Sequence, residues 1–171
     1  MCIRDSAGIA TQRVLAPMST RATEAELIAC LERLGASVLV TEPSYSDLAR
    51  AVGAKLGLAT STMPAFEVSS RVLPLEADPA SLVAIIHTSG TSGLPKPVHC
   101  RQDRAAARAL AYADAVGIGP GRRYATASPF HHTAGFGMLL VALANGATLM
   151  PMQRFSAEAW DDLIRREVTH G

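Results

Sequence analysis

The chain has 171 residues, 49% apolar and 18% charged, and its 16 Lys+Arg against 15 Asp+Glu leave a formal charge of +1. That composition can bury a core, which excludes disorder, and the near-neutral balance without a basic tract excludes a surface built for nucleic acid or an anionic membrane. The longest apolar stretch, Ala134 to Ala144, is 11 residues with two glycines, short of the roughly 18 that suggest a membrane span.

The length suits one domain, or a large part of a bigger one. Cysteines at positions 2, 30 and 100 form no CxxC pair, so neither a disulfide framework nor a zinc ribbon is implied, and a reducing cytoplasm fits. Arginine outnumbers lysine 14 to two, beside 30 alanines, the usage of a GC-rich genome. Lys55 and Lys96 therefore each invite a reason.

In chain order, Met1-Cys2-Ile3-Arg4-Asp5-Ser6 comes first. It back-translates into AT-rich codons resembling an in-frame sequencing adapter, so residues 1–6 are expected to be an assembly scar and are set aside. Thr23 with Glu26 is a capping box opening a helix whose Leu27, Ile28, Leu31 and Leu34 share a face, and Gly35 closes it. Ala36 to Thr41 reads as a buried strand, Ser44 to Leu56 as a second helix, Ala65 to Ser69 as a short strand and Pro74 to Pro79 as a loop.

Leu82-Val83-Ala84-Ile85-Ile86 is a continuous apolar run of the kind buried in parallel sheets. Pro97 to Arg101 predicts a strand, Asp103 to Val116 a helix ended by Gly117, and Tyr124 to Ala127 another strand. Ala134 to Ala144 is helical, Ala147 to Met150 a final strand, and Ser156 to Val168 an amphipathic helix with Asp161/Arg165 and Asp162/Arg166 pairs. This alternation of strands and helices predicts an α/β fold with parallel strands and crossover helices. A helix so near Gly171 suggests that residues 7–171 are part of a longer domain, truncated at both ends.

His87-Thr88-Ser89-Gly90-Thr91-Ser92-Gly93-Leu94-Pro95-Lys96-Pro97 sets four hydroxyls, two glycines and a lysine directly after the buried run. Glycines let backbone N–H groups approach an oxyanion, hydroxyls add short donors, and an ammonium supplies a point charge for phosphoryl oxygens. In the Walker A loop the lysine follows the glycine and opens a helix. Here Lys96 stands three residues after Gly93, between Pro95 and Pro97. Pro97 disfavours a helical Lys96, so the loop should run into an extended segment. A flexible surface turn is the plainer reading of such composition.

The segment resembles the signature loop of the AMP-forming ligases, the superfamily of acyl-CoA synthetases, peptide-synthetase adenylation domains and firefly luciferase. That loop runs T-S-G-[ST]-T-G-x-P-K-G, and Thr88 to Lys96 follow it with Ser92 for the second threonine. Pro97 stands where glycine is usual, and Gln102 replaces a frequent histidine. The resemblance implies that Thr88, Ser89, Gly90, Thr91, Ser92, Gly93 and Lys96 hold ATP phosphates, with Lys96 the residue acting in the reaction.

Ser128-Pro129-Phe130-His131-His132-Thr133-Ala134-Gly135-Phe136 is similar to the family's next motif, P-x-F-H-x-x-G. It places His132 and Gly135 at the conserved slots, with Phe130 one place early and His131 in its position. By the same resemblance His131, His132, Gly135 and Phe136 line the acyl pocket. Polar loop filler is the plainer alternative, and zinc is disfavoured because adjacent histidines do not readily share one metal.

Peptide-synthetase members of that superfamily often carry an aspartate at this motif to pair with the substrate ammonium; none stands here, so the resemblance implies an acid without an α-amino group. The resemblance thus implies ATP and Mg2+ as cofactors, with the Mg2+ ligands outside these residues, and activation of a carboxylic acid to an acyl-adenylate with release of pyrophosphate. The acceptor would be the thiol of coenzyme A or a carrier protein, and the 171 residues alone are expected to be inactive. A non-catalytic nucleotide-binding module and a phosphotransferase on an unrelated α/β fold remain the alternatives.

Overall fold

The computed structural model describes residues 13–63, 78–88, 95–152 and 154–167. The chain forms two compact units, one of Met18–Val72 with Gly90–Pro95, the other of Met1–Pro17, Leu73–Ser89 and Lys96–Gly171.

In the Met18–Val72 unit, helix α1 (Glu24–Leu34) starts at the expected capping box. The Thr23 hydroxyl accepts the Glu26 N–H at 3.3 Å, and the Glu26 carboxylate accepts the Thr23 N–H at 2.7 Å. Gly35 ends the helix at φ 58°, a left-handed position that glycine takes without strain. Strand β1 (Val38–Thr41) leads through a short 3-10 turn and helix α2 (Ser46–Leu56) to strand β2 (Ala59–Thr62), which pairs parallel with β1. Leu27, Leu31 and Val52 form the buried core, with Leu39, Leu48, Leu56 and Leu58 packed on it.

Two readings change here. β1 is not buried, since Val38 is 53% and Val40 43% exposed while Leu39 packs inward; pleating turns alternate residues outward, and only one face meets the helices. β2 was not foreseen because Ala-Thr-Ser-Thr has no apolar alternation, and its strand character comes from the ladder to β1. The strand predicted at Ala65 to Ser69 lies outside the described residues. Lys55 finds its reason in structure, for its Nζ stands 2.7 Å from Glu24 Oε1 and ties α2 to α1.

The other unit is built on strand β3 (Leu82–Thr88), paired antiparallel with β4 (Lys96–Arg101) from Leu82↔Arg101 to Thr88↔Lys96. Leu15 adds a parallel bridge on the other side of β3, its carbonyl accepting the Ile85 N–H at 2.7 Å. Helix α3 (Gln102–Val116) follows, then β5 (Arg123–Thr126), α4 (Thr133–Ala144), β6 (Thr148–Pro151) and α5 (Ala157–Glu167). β5 and β6 are parallel, with α4 as the crossover. The expectation of parallel strands therefore holds for β1–β2 and β5–β6 and fails for β3–β4. The connection from β3 to β4 is only residues 89–95, too short for a parallel crossover.

One core cluster joins Val83, Ala84 and Ile86 of β3 to Phe130, Phe136 and Leu139. A second joins Ala109, Ala113, Ile118 and Val141 where α3 meets α4. On α5 the Asp161–Arg165 and Asp162–Arg166 ion pairs form at 2.7 and 2.5 Å as their spacing predicts, while Val168 lies outside the described residues.

Candidate functional site

Thr88 ends β3 and Lys96 begins β4, and the two are register partners. The Thr88 hydroxyl points at the Lys96 carbonyl at 3.4 Å. Both residues are exposed, so the two anchors of the signature segment stand side by side at one end of the hairpin. Ser89, Gly90, Thr91, Ser92 and Gly93 lie outside the described residues. As Pro97 foretold, Lys96 enters a strand and not a helix, which separates this arrangement from the P-loop class. Pro97 sits opposite His87 on β4. Among the described residues β4 pairs with β3 alone, so its missing N–H leaves no ladder bond broken on the outer edge.

Lys96 also differs from Lys55. Among the described residues it has no ion-pair partner, whereas Lys55 is held by Glu24. An exposed lysine at a strand end, without an ion-pair partner among the described residues, fits an anionic ligand.

The histidine loop is shaped by the start of α4. His132 is the N-cap residue: its N–H donates to the Pro129 carbonyl at 3.0 Å, and its own carbonyl accepts the Phe136 N–H at 3.0 Å. Its imidazole makes no capping hydrogen bond and is exposed. The His131 and His132 rings lie 4.2 Å apart, tilted 45°. Gly135 is buried where the helix presses on the loop. A Cβ there would stand 2.5 Å from the Ser128 carbonyl oxygen and closer still to that of Pro129, so glycine is the residue that lets the loop close. Phe136 is 3% exposed in the β3 core, and Phe130, just before the histidines, joins it there. Ile86, two residues before Thr88, belongs to the same cluster. A shared core thus anchors the strand that carries Thr88 and the histidine loop in one unit.

Three features were missed from the sequence. Thr126 is buried at the end of β5, and its hydroxyl accepts the Ser128 N–H at 3.2 Å, fixing the chain as it enters the loop. Cys100 lies partly buried on β4; burial pushes its thiol up from the ordinary value, and nearby Arg108 pulls against that shift. A cavity of about 320 Å³ opens between β4, α3 and α4, lined by Ile86, Phe136, Leu140 and Thr133 and by Arg104 and Arg108. Gly137 carried a signal for it, because a glycine inside an apolar helix marks a close approach. Among the described residues no group of three His, Cys, Asp or Glu converges to hold a metal.

An α/β domain that closes a Ser/Thr/Gly-rich connection with a strand, and sets a histidine loop on the same core, belongs to an enzyme class other than the P-loop proteins. The chain is a member of the AMP-binding enzyme family, whose pattern matches residues 6–171. Steroid-22-oyl-CoA synthetase of Rhodococcus jostii is 32% identical over 126 residues, covering 72% of this chain and 20% of that protein. A Mycobacterium tuberculosis CoA ligase named for a methyl-dioxo-octahydro-indenyl propanoyl group is 30% identical over 166 residues, 81% of this chain and 32% of that protein. The crystal structure of ATP-bound MatB from Rhodopseudomonas palustris superposes with a TM-score of 0.83 at 26% identity, covering 96% of this chain and 35% of that one. The chain spans between 20% and 34% of the length of the curated relatives it matches.

Proposed function

We propose that the enzyme containing this chain activates a carboxylic acid with ATP and transfers the acyl group to a thiol, with coenzyme A the favoured acceptor and a carrier-protein thiol the second choice. The observation that carries this reading is the pair of anchors, Thr88 and a Lys96 without an ion-pair partner among the described residues, set opposite each other beside a core that also fixes the histidine loop. Family membership and relatives named as CoA ligases support it. Residues 7–171 are assigned to the large N-terminal domain, with residues 1–6 a translation artefact, so activity belongs to the full-length enzyme.

In the first step a carboxylate oxygen attacks the α-phosphorus of ATP in line. The bond from that phosphorus to the bridging oxygen breaks, and pyrophosphate leaves with the electron pair. No protein nucleophile is needed; the protein positions two anions and offsets their repulsion. Thr88 and Lys96, with Ser89 to Gly93, hold the departing phosphates. The acid's carboxylate lies at the start of α4, beside His132, where the free N–H groups of the first turn favour negative charge. In the second step a thiolate sulfur attacks the acyl carbon, the thiol proton passes to solvent, and AMP leaves. Mg2+ supplies charge neutralisation at phosphate oxygens when bound; its protein ligands are assigned to none of the described residues.

The test is acid-dependent exchange of pyrophosphate into ATP by the full-length enzyme. Lys96→Ala removes a charge-assisted contact and is expected to slow exchange about ten- to a hundredfold. Equal rates would remove Lys96 from the reaction. ADP in place of AMP as product would favour a phosphotransferase, and ATP binding without exchange a non-catalytic module.

A further inference from the structure

The 320 Å³ cavity has two unlike walls. Ile86, Phe136 and Leu140 form an apolar side, while Arg104 and Arg108, four residues apart on α3, face it from the same helix stripe. Arg101 also reaches the cavity, but its charge is met by Asp103 through contacts of 3.1 and 2.7 Å. Among the described residues neither Arg104 nor Arg108 forms an ion pair, although the Asp103 carboxylate, held by Arg101, also feels the charge of Arg104. Exposed arginines on a helix are commonly solvated, yet Arg108 is seated. Its guanidinium reaches across to α4, where a Cβ on Gly137 would stand 2.8 Å from Nη2. The missing side chain at position 137 therefore leaves room for that guanidinium against the helix.

The cavity also reaches the histidine loop. Thr133, the residue after His132 and the first of α4, lines it. An acid whose carboxylate lies at the start of α4 would extend its acyl body along Phe136 and Leu140 toward the arginines. The far end of such a body meets the guanidiniums of Arg104 and Arg108, neither of them in an ion pair among the described residues, beside a wall of apolar side chains.

We propose that the acid substrate carries a second oxyanion, such as a distal carboxylate, and that Arg104 and Arg108 select it. This rests on the adenylation reading above and adds the substrate class. A planar guanidinium pairs with a carboxylate through two parallel donors, so the arrangement favours an acid with two anionic ends over its singly charged counterpart.

The experiment measures AMP formation by the full-length enzyme with matched acids: hexanoate against adipate, octanoate against suberate, benzoate against terephthalate. The wild type is expected to show a kcat/KM for the better diacid at least about tenfold above that for its partner monoacid. Arg108→Gln and, separately, Arg104→Gln should bring that ratio toward one, and Arg108→Lys should restore part of it. Gly137→Ala, which fills the seat of Arg108, should move the ratio the same way with both arginines present. Both arginines are exposed, so folding is expected to survive either glutamine, and circular dichroism checks it. A wild-type ratio of one or below, or a ratio unmoved in all three charge- and seat-removing variants, overturns the proposal and leaves adenylation standing. No AMP from any acid overturns the adenylation reading, and the proposal with it.

Discussion

Strands β1 and β3 look alike as sequence, each an apolar run after a polar stretch, and they end in opposite environments. In β3, Val83, Ala84 and Ile86 are 4%, 0% and 1% exposed. In β1, Val38 and Val40 are 53% and 43% exposed. β3 has a ladder partner on each side, β4 and Leu15, and the Phe130–Phe136 cluster against it. Among the described residues β1 has β2 alone beside it, and only Leu39 joins the core of its unit. Apolarity names a strand; the number of elements packed on it decides its burial. Among the described residues, the strand buried most completely is the one whose end carries Thr88.

The largest expected effect is at Ile86. Ile86→Ala should destabilise the protein by about 2–5 kcal/mol through lost burial and a residual cavity, while Val40→Ala should cost less than about 1 kcal/mol. Urea midpoints for the two variants measure the contrast, and equal shifts would break it.

Next comes the loop that shares β3's core. Gly135→Ala forces a methyl group against two carbonyl oxygens and is expected to cost about 1–3 kcal/mol. Gly119→Ala, with nothing within 4 Å of the added carbon, should be neutral or stabilise by up to about 1 kcal/mol. Thermal midpoints distinguish them, and a tolerant position 135 would mean that the histidine loop is not pinned by the helix.

The smallest effect sharpens the other side of the comparison. Thr23→Ala removes the cap of α1 at a cost of about 1 kcal/mol. The backbone N–H and then the hydroxyl of Thr23 hold the Glu26 carboxyl below its ordinary value of 4.5. A depressed carboxyl contributes stability that is present above the unfolded pKa and lost as pH falls through the folded one. The wild type should therefore lose this increment on the acid side of the ordinary glutamate range, and Glu26→Gln, which has no carboxyl to titrate, should flatten that part of the stability curve when compared with the wild type. Identical acid limbs in the two proteins would show that the box contributes nothing in solution.

Much of the fold was legible because local rules applied locally. The Thr23–Glu26 box, Gly35 and Gly117 at helix ends, and the α5 ion pairs depend on residues three or four apart, and all formed as read. Pro97 likewise forced the extended exit at Lys96. The site was legible as two short motifs. Their joining through Ile86, Phe130 and Phe136 was not, because those residues are some 44 to 50 positions apart and meet only by packing.

By itself, then, the sequence determined the α/β alternation, the helix ends and the family resemblance, since each follows from spacing and residue type along the chain. Tertiary structure alone decided that β3 and β4 run antiparallel, that Ala59 to Thr62 is a strand, that Lys55 is bound to Glu24 while Lys96 has no ionic partner among the described residues, and that Arg108 rests over Gly137 beside a cavity. Strand pairing, ion pairs and cavities are properties of residues distant in sequence, and only packing brings those residues together.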